Sequence, residues 1–121
     1  MIDYFFDSYA LIEIILGNIK YDNYKNCSFI FTKLNLSEVF YSFLLKDESK
    51  ADLILKSYKD NVVEFSVDII EKAMKFRLKN KKMDLSYADC IGYIYACENN
   101  LKFLTGDEKF KDMDNVEFVK K

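Results

Sequence analysis

The sequence predicts an α/β fold in which a mainly parallel sheet lies between two layers of helices. Short apolar stretches rich in Phe, Ile and Val alternate along the chain with longer segments of helical character. Strands that alternate with helices form parallel sheets covered on both faces. With 121 residues, of which 50% are hydrophobic, the chain is long enough for one core and too short for two. We therefore expect a single domain over residues 1–121.

The first half of the chain predicts two strands and three helices. Ile2–Phe6 is an apolar and aromatic run, broken only by Asp3, which is typical of a buried strand, and Gly17 ends the helix that follows. A polar segment then turns the chain before the next apolar run. The expected elements are a strand at 2–6, a helix at 9–16, a turn at about 20–26, a strand at 29–31, a helix from 35 to about 45 and a helix at about 51–58.

The second half predicts three strands and two helices. Val62–Phe65 has the composition of a strand, and the Lys and Arg residues near the end of the next helix favour a helix C-terminus. The expected elements are a strand at 62–65, a helix from 67 to about 78, a helix opened by residues 84–89 and running to about 99, a strand at 102–104, a turn that carries Phe110 and a strand at 116–119.

The chain contains no histidine, and this absence excludes several kinds of catalytic site. Ser-His-Asp triads, Cys-His pairs and His-containing zinc sites all need this residue. Any hydrolysis must therefore rely on carboxylates, Lys, Tyr, Cys or metal-bound water. The net charge of −2 argues against a protein that coats nucleic acid, because such proteins carry an excess of Lys and Arg.

The sequence indicates a cytoplasmic protein with reduced thiols. Polar residues interrupt each apolar stretch before it reaches the roughly 20 residues of a membrane span, and the amino terminus lacks the basic region of a signal peptide. The chain has three cysteines and no Cys-x-x-Cys motif. Cys90 and Cys97, if on one helix, would lie about 10 Å apart along its axis, which is too far for a disulfide.

Four acidic residues occupy similar positions in the predicted elements. Asp7 and Asp107 each follow a strand, whereas Glu38 and Asp89 lie in the first turn of a helix. In an open parallel sheet, the carboxyl ends of the strands and the amino ends of the helices meet at one edge, where α/β proteins build their sites. We therefore expect all four carboxylates to share that edge.

Each of these acids alone is equally well explained as a helix cap. Acidic groups are favoured at helix N-termini, and Asn35 with Glu38, like Ser86 with Asp89, has the spacing of a capping box. Together, however, clustered carboxylates repel one another, and a hard divalent cation removes that cost. The set therefore predicts a magnesium or manganese site suited to phosphodiester hydrolysis.

The segments around these acids resemble the PIN domain, a family of small metal-dependent nucleases, and in size and layout the chain resembles its VapC-type toxins. The resemblance covers essentially the whole chain. The segments that carry it are Phe5-Phe-Asp-Ser-Tyr-Ala-Leu-Ile12, Asn35-Leu-Ser-Glu-Val39, Tyr87-Ala-Asp-Cys-Ile91 with Ala96, and Phe103-Leu-Thr-Gly-Asp-Glu-Lys-Phe110.

The resemblance implies a PIN-like three-layer α/β/α sandwich and a metal-dependent endoribonuclease that leaves 5′-phosphate and 3′-hydroxyl ends. One or two Mg²⁺ or Mn²⁺ ions would be held, directly or through water, by Asp7, Glu38, Asp89 and Asp107, with hydroxyl support from Ser8 and Thr105. Asp84 competes for the third acidic position, but the Ala-Asp-x-Ile context favours Asp89. We expect Asp112 and Asp114, which follow the last signature, to be solvated.

The densest basic segment could attract an RNA backbone, although a solvated helix end explains it equally well. It comprises Lys72, Lys75, Arg77, Lys79, Lys81 and Lys82. The helix around Val39–Leu45 is apolar over more than one stripe, which indicates either burial on two sides or a contact for an antitoxin or a second copy. The resemblance implies both an antitoxin and a homodimer as partners.

Three functions are compatible with the sequence. The first is the toxin of a VapBC-type pair, the second is a housekeeping RNA-processing PIN nuclease without an antitoxin, and the third is a catalytically silent PIN-like binding module. Retention of all four acids argues against the third. Haloacid-dehalogenase phosphatases and receiver domains are excluded because the first strand lacks a second, paired acid, with Tyr9 standing where the phosphatase motif needs Asp.

Overall fold

A five-stranded sheet forms the centre of the computed structural model, which describes residues 1–120. The strand order is β3-β2-β1-β4-β5, and every pairing is parallel. The strands are β1 (Tyr4–Phe6), β2 (Phe29–Thr32), β3 (Val62–Val63), β4 (Lys102–Thr105) and β5 (Val116–Phe118). The predicted α/β class is confirmed, and the sheet is wholly rather than mainly parallel.

The helices occupy the segments that the sequence predicts. They are α1 (Ser8–Ile15), α2 (Lys33–Leu44), α3 (Glu48–Tyr58), α4 (Val67–Lys79) and α5 (Tyr87–Glu98). Short 3₁₀ helices lie at Ile19–Tyr24, Lys59–Asn61, Lys81–Met83 and Glu108–Phe110. The predicted strand at 62–65 ends at Val63, because its partner β2 ends beside Val63 at Thr32 and α2 begins at the next residue.

Both faces of the sheet are buried. Consecutive strand residues point to opposite faces, so Phe5 and Phe6 enter two separate clusters. The Phe5 ring stacks on Phe103 at a centroid distance of 5.8 Å and lies under α5, where a Cβ on Gly92 would come within 2.7 Å of it. On the other face, Phe6 packs with Ala10 of α1. The helices on the two faces confirm the three-layer sandwich.

The two edges of the sheet differ in what they carry. We call the edge where the strands end the carboxyl edge and the opposite one the amino edge. Helices α4 and α5 run antiparallel, as shown by the ion pair between Lys72, in the first half of α4, and Glu98, at the end of α5. The connection between them, residues 80–86, therefore lies at the carboxyl edge together with the start of α5.

One side of α2 is covered and another is not. Val39 and Phe43 are buried in the core, whereas Tyr41 is 62% exposed and Leu45 is 69% exposed. Burial on two sides, one of the two interpretations of this apolar helix, is therefore wrong for Tyr41 and Leu45. An apolar surface remains on α2.

The cysteines agree with the expectation from their spacing. Cys27, Cys90 and Cys97 are all free thiols. Within residues 1–120, none of the helices has both the length and the apolar character that crossing a membrane requires.

Candidate active site

Asp7 is the most buried of the four acids, with 3% of its surface exposed. It follows β1 directly and caps α1, because its Oδ1 accepts a hydrogen bond of 2.8 Å from the Ala10 backbone N–H. The hydroxyl of Thr105, at the end of β4, donates to the Oδ2 atom of Asp7. Both carboxylate oxygens are therefore held in place by neighbouring elements.

The pKa of Asp7 is raised to about 7, chiefly because burial disfavours the charged carboxylate. The hydrogen bonds from Thr105 and Ala10 oppose this shift, since they stabilise the ionised form. The charges of Asp89 and Asp107 add to the increase. The three acids, which come from three separate elements, are thus close enough to act on one another.

Asp89 lies in the first turn of α5 and forms a capping box with Ser86. The Ser86 N–H donates to Asp89 Oδ2 at 3.0 Å, and the Asp89 N–H donates to Ser86 Oγ at 3.0 Å. Burial raises the pKa of Asp89, the bonds from Ser86 lower it, and the charge of Asp107 raises it further. Asp89 is therefore a cap and a member of the acidic cluster at the same time.

Asp107 follows β4 and caps the 3₁₀ helix at Glu108–Phe110. Its Oδ1 accepts from the Lys109 N–H at 3.0 Å, and its own N–H donates to Thr105 Oγ1 at 3.0 Å. The Thr105 hydroxyl group therefore links Asp107 to Asp7. This contact is the kind of hydroxyl support that the resemblance implies for Thr105.

Glu38 reaches the carboxyl edge in a different way. The predicted capping box of Asn35 with Glu38 is wrong: α2 begins at Lys33, and the capping box joins Thr32 to Asn35. The helix starts earlier because Thr32, at the very end of β2, already supplies a cap. Glu38 therefore lies in the second turn, is exposed, and accepts a hydrogen bond of 2.5 Å from Ser8 Oγ.

A divalent cation fits the chemistry of these residues. The donors are hard carboxylate oxygens, and a capped carboxylate oxygen keeps a second lone pair. Burial is the main cause of the raised pKa values of Asp7 and Asp89, and the neighbouring acidic charges, which a cation would offset, add to it. Within residues 1–120, the side chains of no three Asp, Glu or Cys residues lie close enough together to hold a metal ion. Each carboxylate is turned toward its own hydrogen-bond donor.

The roles of two further residues at this edge were not predicted from the sequence. Asn35 is buried, and its Nδ2 donates to Ser8 Oγ at 3.1 Å, which orients the hydroxyl toward Glu38. A Cβ on Gly106 would lie 2.3 Å from Tyr9 Cε1, so only glycine fits between Thr105 and Asp107. Only the position of Gly106 inside the Thr-x-Asp signature could have indicated this.

The remaining predicted residues lie outside the acidic cluster. Asp84 is exposed and has a left-handed backbone with φ of 53°, as suits a residue in a loop. Asp112 and Asp114 are exposed, which confirms the expectation that they are solvated.

Some residues of the predicted basic segment have hydrogen-bonding or ionic partners, and others are exposed at the carboxyl edge. Lys72 pairs with Glu98, and Lys75 pairs with Glu71 at 2.7 Å. Arg77 Nε donates to the Leu85 carbonyl at 2.9 Å. Lys79, Lys81 and Lys82 are exposed, and they lie in or beside the connection at the carboxyl edge.

The PIN domain family model matches residues 4–116 of the chain. No curated protein matches the chain. Among solved structures, a toxin-antitoxin complex from Klebsiella pneumoniae is 19% identical, with a TM-score of 0.73 over 95% of this chain and 96% of that one. VapBC2 from Rickettsia felis, bound to a DNA fragment from their promoter, is also 19% identical, with a TM-score of 0.73 over 100% and 99% of the two chains. The resemblance seen in the sequence is confirmed, and the chain belongs to the PIN domain family.

Proposed function

We propose that the chain is a Mg²⁺- or Mn²⁺-dependent endoribonuclease that hydrolyses phosphodiester bonds of RNA in the cytoplasm. One observation carries the proposal: the buried Asp7 carboxylate is acted on by the charges of Asp89 and Asp107 at the carboxyl edge. Burial and these neighbouring charges raise the cost of ionising Asp7, and a bound cation would lower that cost. Membership of a family of metal-dependent nucleases supports the same activity.

A bound divalent cation would supply a water of lowered pKa and neutralise the leaving oxygen of the phosphodiester. The residues of the chain prepare the site for that ion. Thr105 favours the ionised form of Asp7 by donating to it, and it also holds the backbone of Asp107. Ser8 orients Glu38. Asp7, Glu38, Asp89 and Asp107 are the ligands in this proposal.

The activity is tested by incubating the purified chain with total cellular RNA and mapping the ends of the fragments. Mg²⁺ or Mn²⁺ should produce fragments with 5′-phosphate and 3′-hydroxyl ends, and a chelator should stop their formation. Asp7→Asn and Asp89→Asn should be folded and inactive. Full metal-dependent cleavage by both variants would show that the site is wrong.

We further propose that the chain is the toxin of a VapBC-type pair, with an antitoxin and a second copy of itself as partners. The fold shared with two toxin-antitoxin structures supports this proposal. The exposed Tyr41 and Leu45 of α2 offer an apolar surface for a protein contact. A small DNA-binding protein encoded beside this chain should copurify with it and inhibit its cleavage of RNA, and Leu45→Glu should weaken at least one of the two contacts.

Two other functions would give different results. A housekeeping PIN nuclease would cleave RNA in the same way but would have no neighbouring antitoxin and would not arrest growth when expressed alone. A silent binding module would neither cleave RNA nor bind Mn²⁺. The silent module is supported by the spacing of the carboxylates, since within residues 1–120 no three of them are grouped closely enough to hold a metal ion. Titration of the chain with Mn²⁺ distinguishes it from both nucleases.

A further inference from the structure

One basic side chain crosses between the segments that carry Asp107 and Asp89. Lys109 lies in the turn after β4, where its backbone N–H donates to the capping Asp107 Oδ1 at 3.0 Å. Its Nζ donates to the carbonyl oxygen of Asp84 at 3.1 Å, and Asp84 lies in the connection that leads to α5. The ammonium group is therefore held at the carboxyl edge by a contact at each end of the residue.

The positive charge of Lys109 affects Asp89, although Lys109 forms no ion pair with an acidic side chain within residues 1–120. It lowers the pKa of Asp89, against the larger effect of burial and the charge of Asp107. Lys109 is exposed and takes part in none of the ion pairs found within residues 1–120. Since an ammonium group has three donors, the single bond to Asp84 leaves donors for an incoming anion.

The other basic residues near this edge are engaged elsewhere or lie farther along the chain from the acids. Lys33 pairs with Glu64 at 2.8 Å. Arg77 bonds Leu85, and its guanidinium lies over the Tyr87 ring at 4.9 Å. Lys109, by contrast, lies in the 3₁₀ helix at Glu108–Phe110, which Asp107 caps. A positive group beside the acids would add to the attraction that a bound cation exerts on a phosphate.

We propose that Lys109 binds the scissile phosphate, its ammonium group donating to a non-bridging oxygen when RNA lies across the carboxyl edge. This inference rests on the proposed function, since it names a substrate contact of the same site. Lysine suits the role because its compact charge binds phosphate without requiring a planar, bidentate geometry. Lys109 would thus be a substrate-binding residue rather than a metal ligand.

A purely structural role is the competing explanation, because the Lys109 to Asp84 bond also ties the turn after β4 to the loop before α5. Two variants distinguish the roles. Lys109→Ala removes the charge, whereas Lys109→Arg keeps it. The matched control is Lys102→Ala, because Lys102 is an exposed lysine at the start of β4, the end of that strand opposite to the turn that carries Lys109.

Steady-state cleavage of a short single-stranded RNA and calorimetric binding of Mn²⁺ are measured for all four proteins. Lys109→Ala should lower kcat/KM by about tenfold to a hundredfold, less than the loss of a donor in a water-excluded site, and Lys109→Arg should restore most of it. Affinity for Mn²⁺ should be unchanged or increase, because a cation has been removed from beside the acids. If Mn²⁺ affinity falls together with cleavage, Lys109 only supports the site, and the proposal is overturned.

A binding measurement that needs no cleavage completes the test. In the Asp7→Asn background with Mg²⁺, loss of one phosphate contact should reduce the slope of log affinity against log salt by about 0.7 for single-stranded RNA. Lys102→Ala should leave the slope unchanged. An unchanged slope for Lys109→Ala overturns the assignment of Lys109. Wild-type protein that fails to cleave RNA with either metal would instead overturn the proposed function itself.

Discussion

The two edges of the sheet present opposite kinds of surface. The amino edge holds a cavity of about 640 Å³ whose lining contains no charged side chain. The carboxyl edge holds the acids, of which Asp7 has a pKa raised to about 7. The cavity is lined by Met1, Ile2, Ile30, Val63, Tyr95, Asn99, Asn100 and Leu101. The large cavity and the proposed site therefore lie at different edges, as expected if the proposed chemistry depends on the placement of charged groups rather than on cavity volume.

The direction of the helices explains the difference. Helices α1, α2 and α5 begin at the carboxyl edge, where their free N–H groups and positive dipole ends favour acids and phosphates. At the amino edge α5 ends at Glu98, and the Asn99 side chain donates to the Tyr95 carbonyl at 2.9 Å. The end of α5 beside the cavity therefore presents the negative end of a helix dipole, which does not attract a phosphate.

The largest expected difference between the edges is in catalysis. Asp7→Asn should lower metal-dependent RNA cleavage by at least about a thousandfold, because it removes the central ligand of the proposed site. The fold should survive, since asparagine caps a helix as well as aspartate does. Ile2→Ala, which alters the cavity at the amino edge, should cleave at the wild-type rate. Equal losses in the two variants would contradict the contrast between the edges.

The glycines of the two edges should differ in stability and in activity. Gly106→Ala places a Cβ 2.3 Å from Tyr9 Cε1 and 2.5 Å from Tyr21 Oη, so we expect destabilisation of about 1–3 kcal/mol and weakened cleavage. Gly17→Ala meets no atom within 4 Å but has a φ of +76°, so it should cost only about 1 kcal/mol and leave cleavage unchanged. Urea unfolding and RNA cleavage of the two variants check both expectations.

The raised pKa of Asp7 predicts how stability changes with pH in chelator. The folded protein binds this proton up to about pH 7, whereas the ordinary pKa of 3.8 applies to the unfolded chain. The contribution of Asp7 to stability is therefore most favourable below about pH 4 and decreases as the pH rises to about 7. Asp7→Asn should be less sensitive to pH than wild type when urea unfolding is compared at pH 5 and pH 8, and Ile2→Ala should keep the wild-type dependence.

The smallest expected effect concerns the basic segment. Lys82→Ala should weaken RNA binding by about twofold to fivefold, because Lys82 is exposed and lies in the connection at the carboxyl edge. Lys72→Ala should have less effect, since Lys72 pairs with Glu98 at the far end of α5. Filter binding at low salt measures both. A larger loss for Lys72→Ala would place the RNA along α4 rather than at the carboxyl edge.

Element types could be predicted because they depend on neighbouring residues. The capping box of Ser86 with Asp89 follows from three-residue spacing, and the buried β1 follows from its continuous apolar run. The start of α2 was misplaced because two polar residues, Thr32 and Asn35, both have the chemistry of a cap. The end of β2 at Thr32 decides between them, because it places the Thr32 hydroxyl where it accepts from the Asn35 N–H.

The sequence by itself determined the α/β class, the order of the elements and the position of Asp7, Asp89 and Asp107 at the starts of helices or turns. These are local properties of periodicity and capping. The tertiary structure decided which groups touch: Thr105 donates to Asp7 across 98 residues of chain, and Ser8 donates to Glu38 across 30. The first contact depends on β1 lying beside β4, and the second depends on β1 lying beside β2. The raised pKa of Asp7 depends on the depth of its burial, which no short segment specifies.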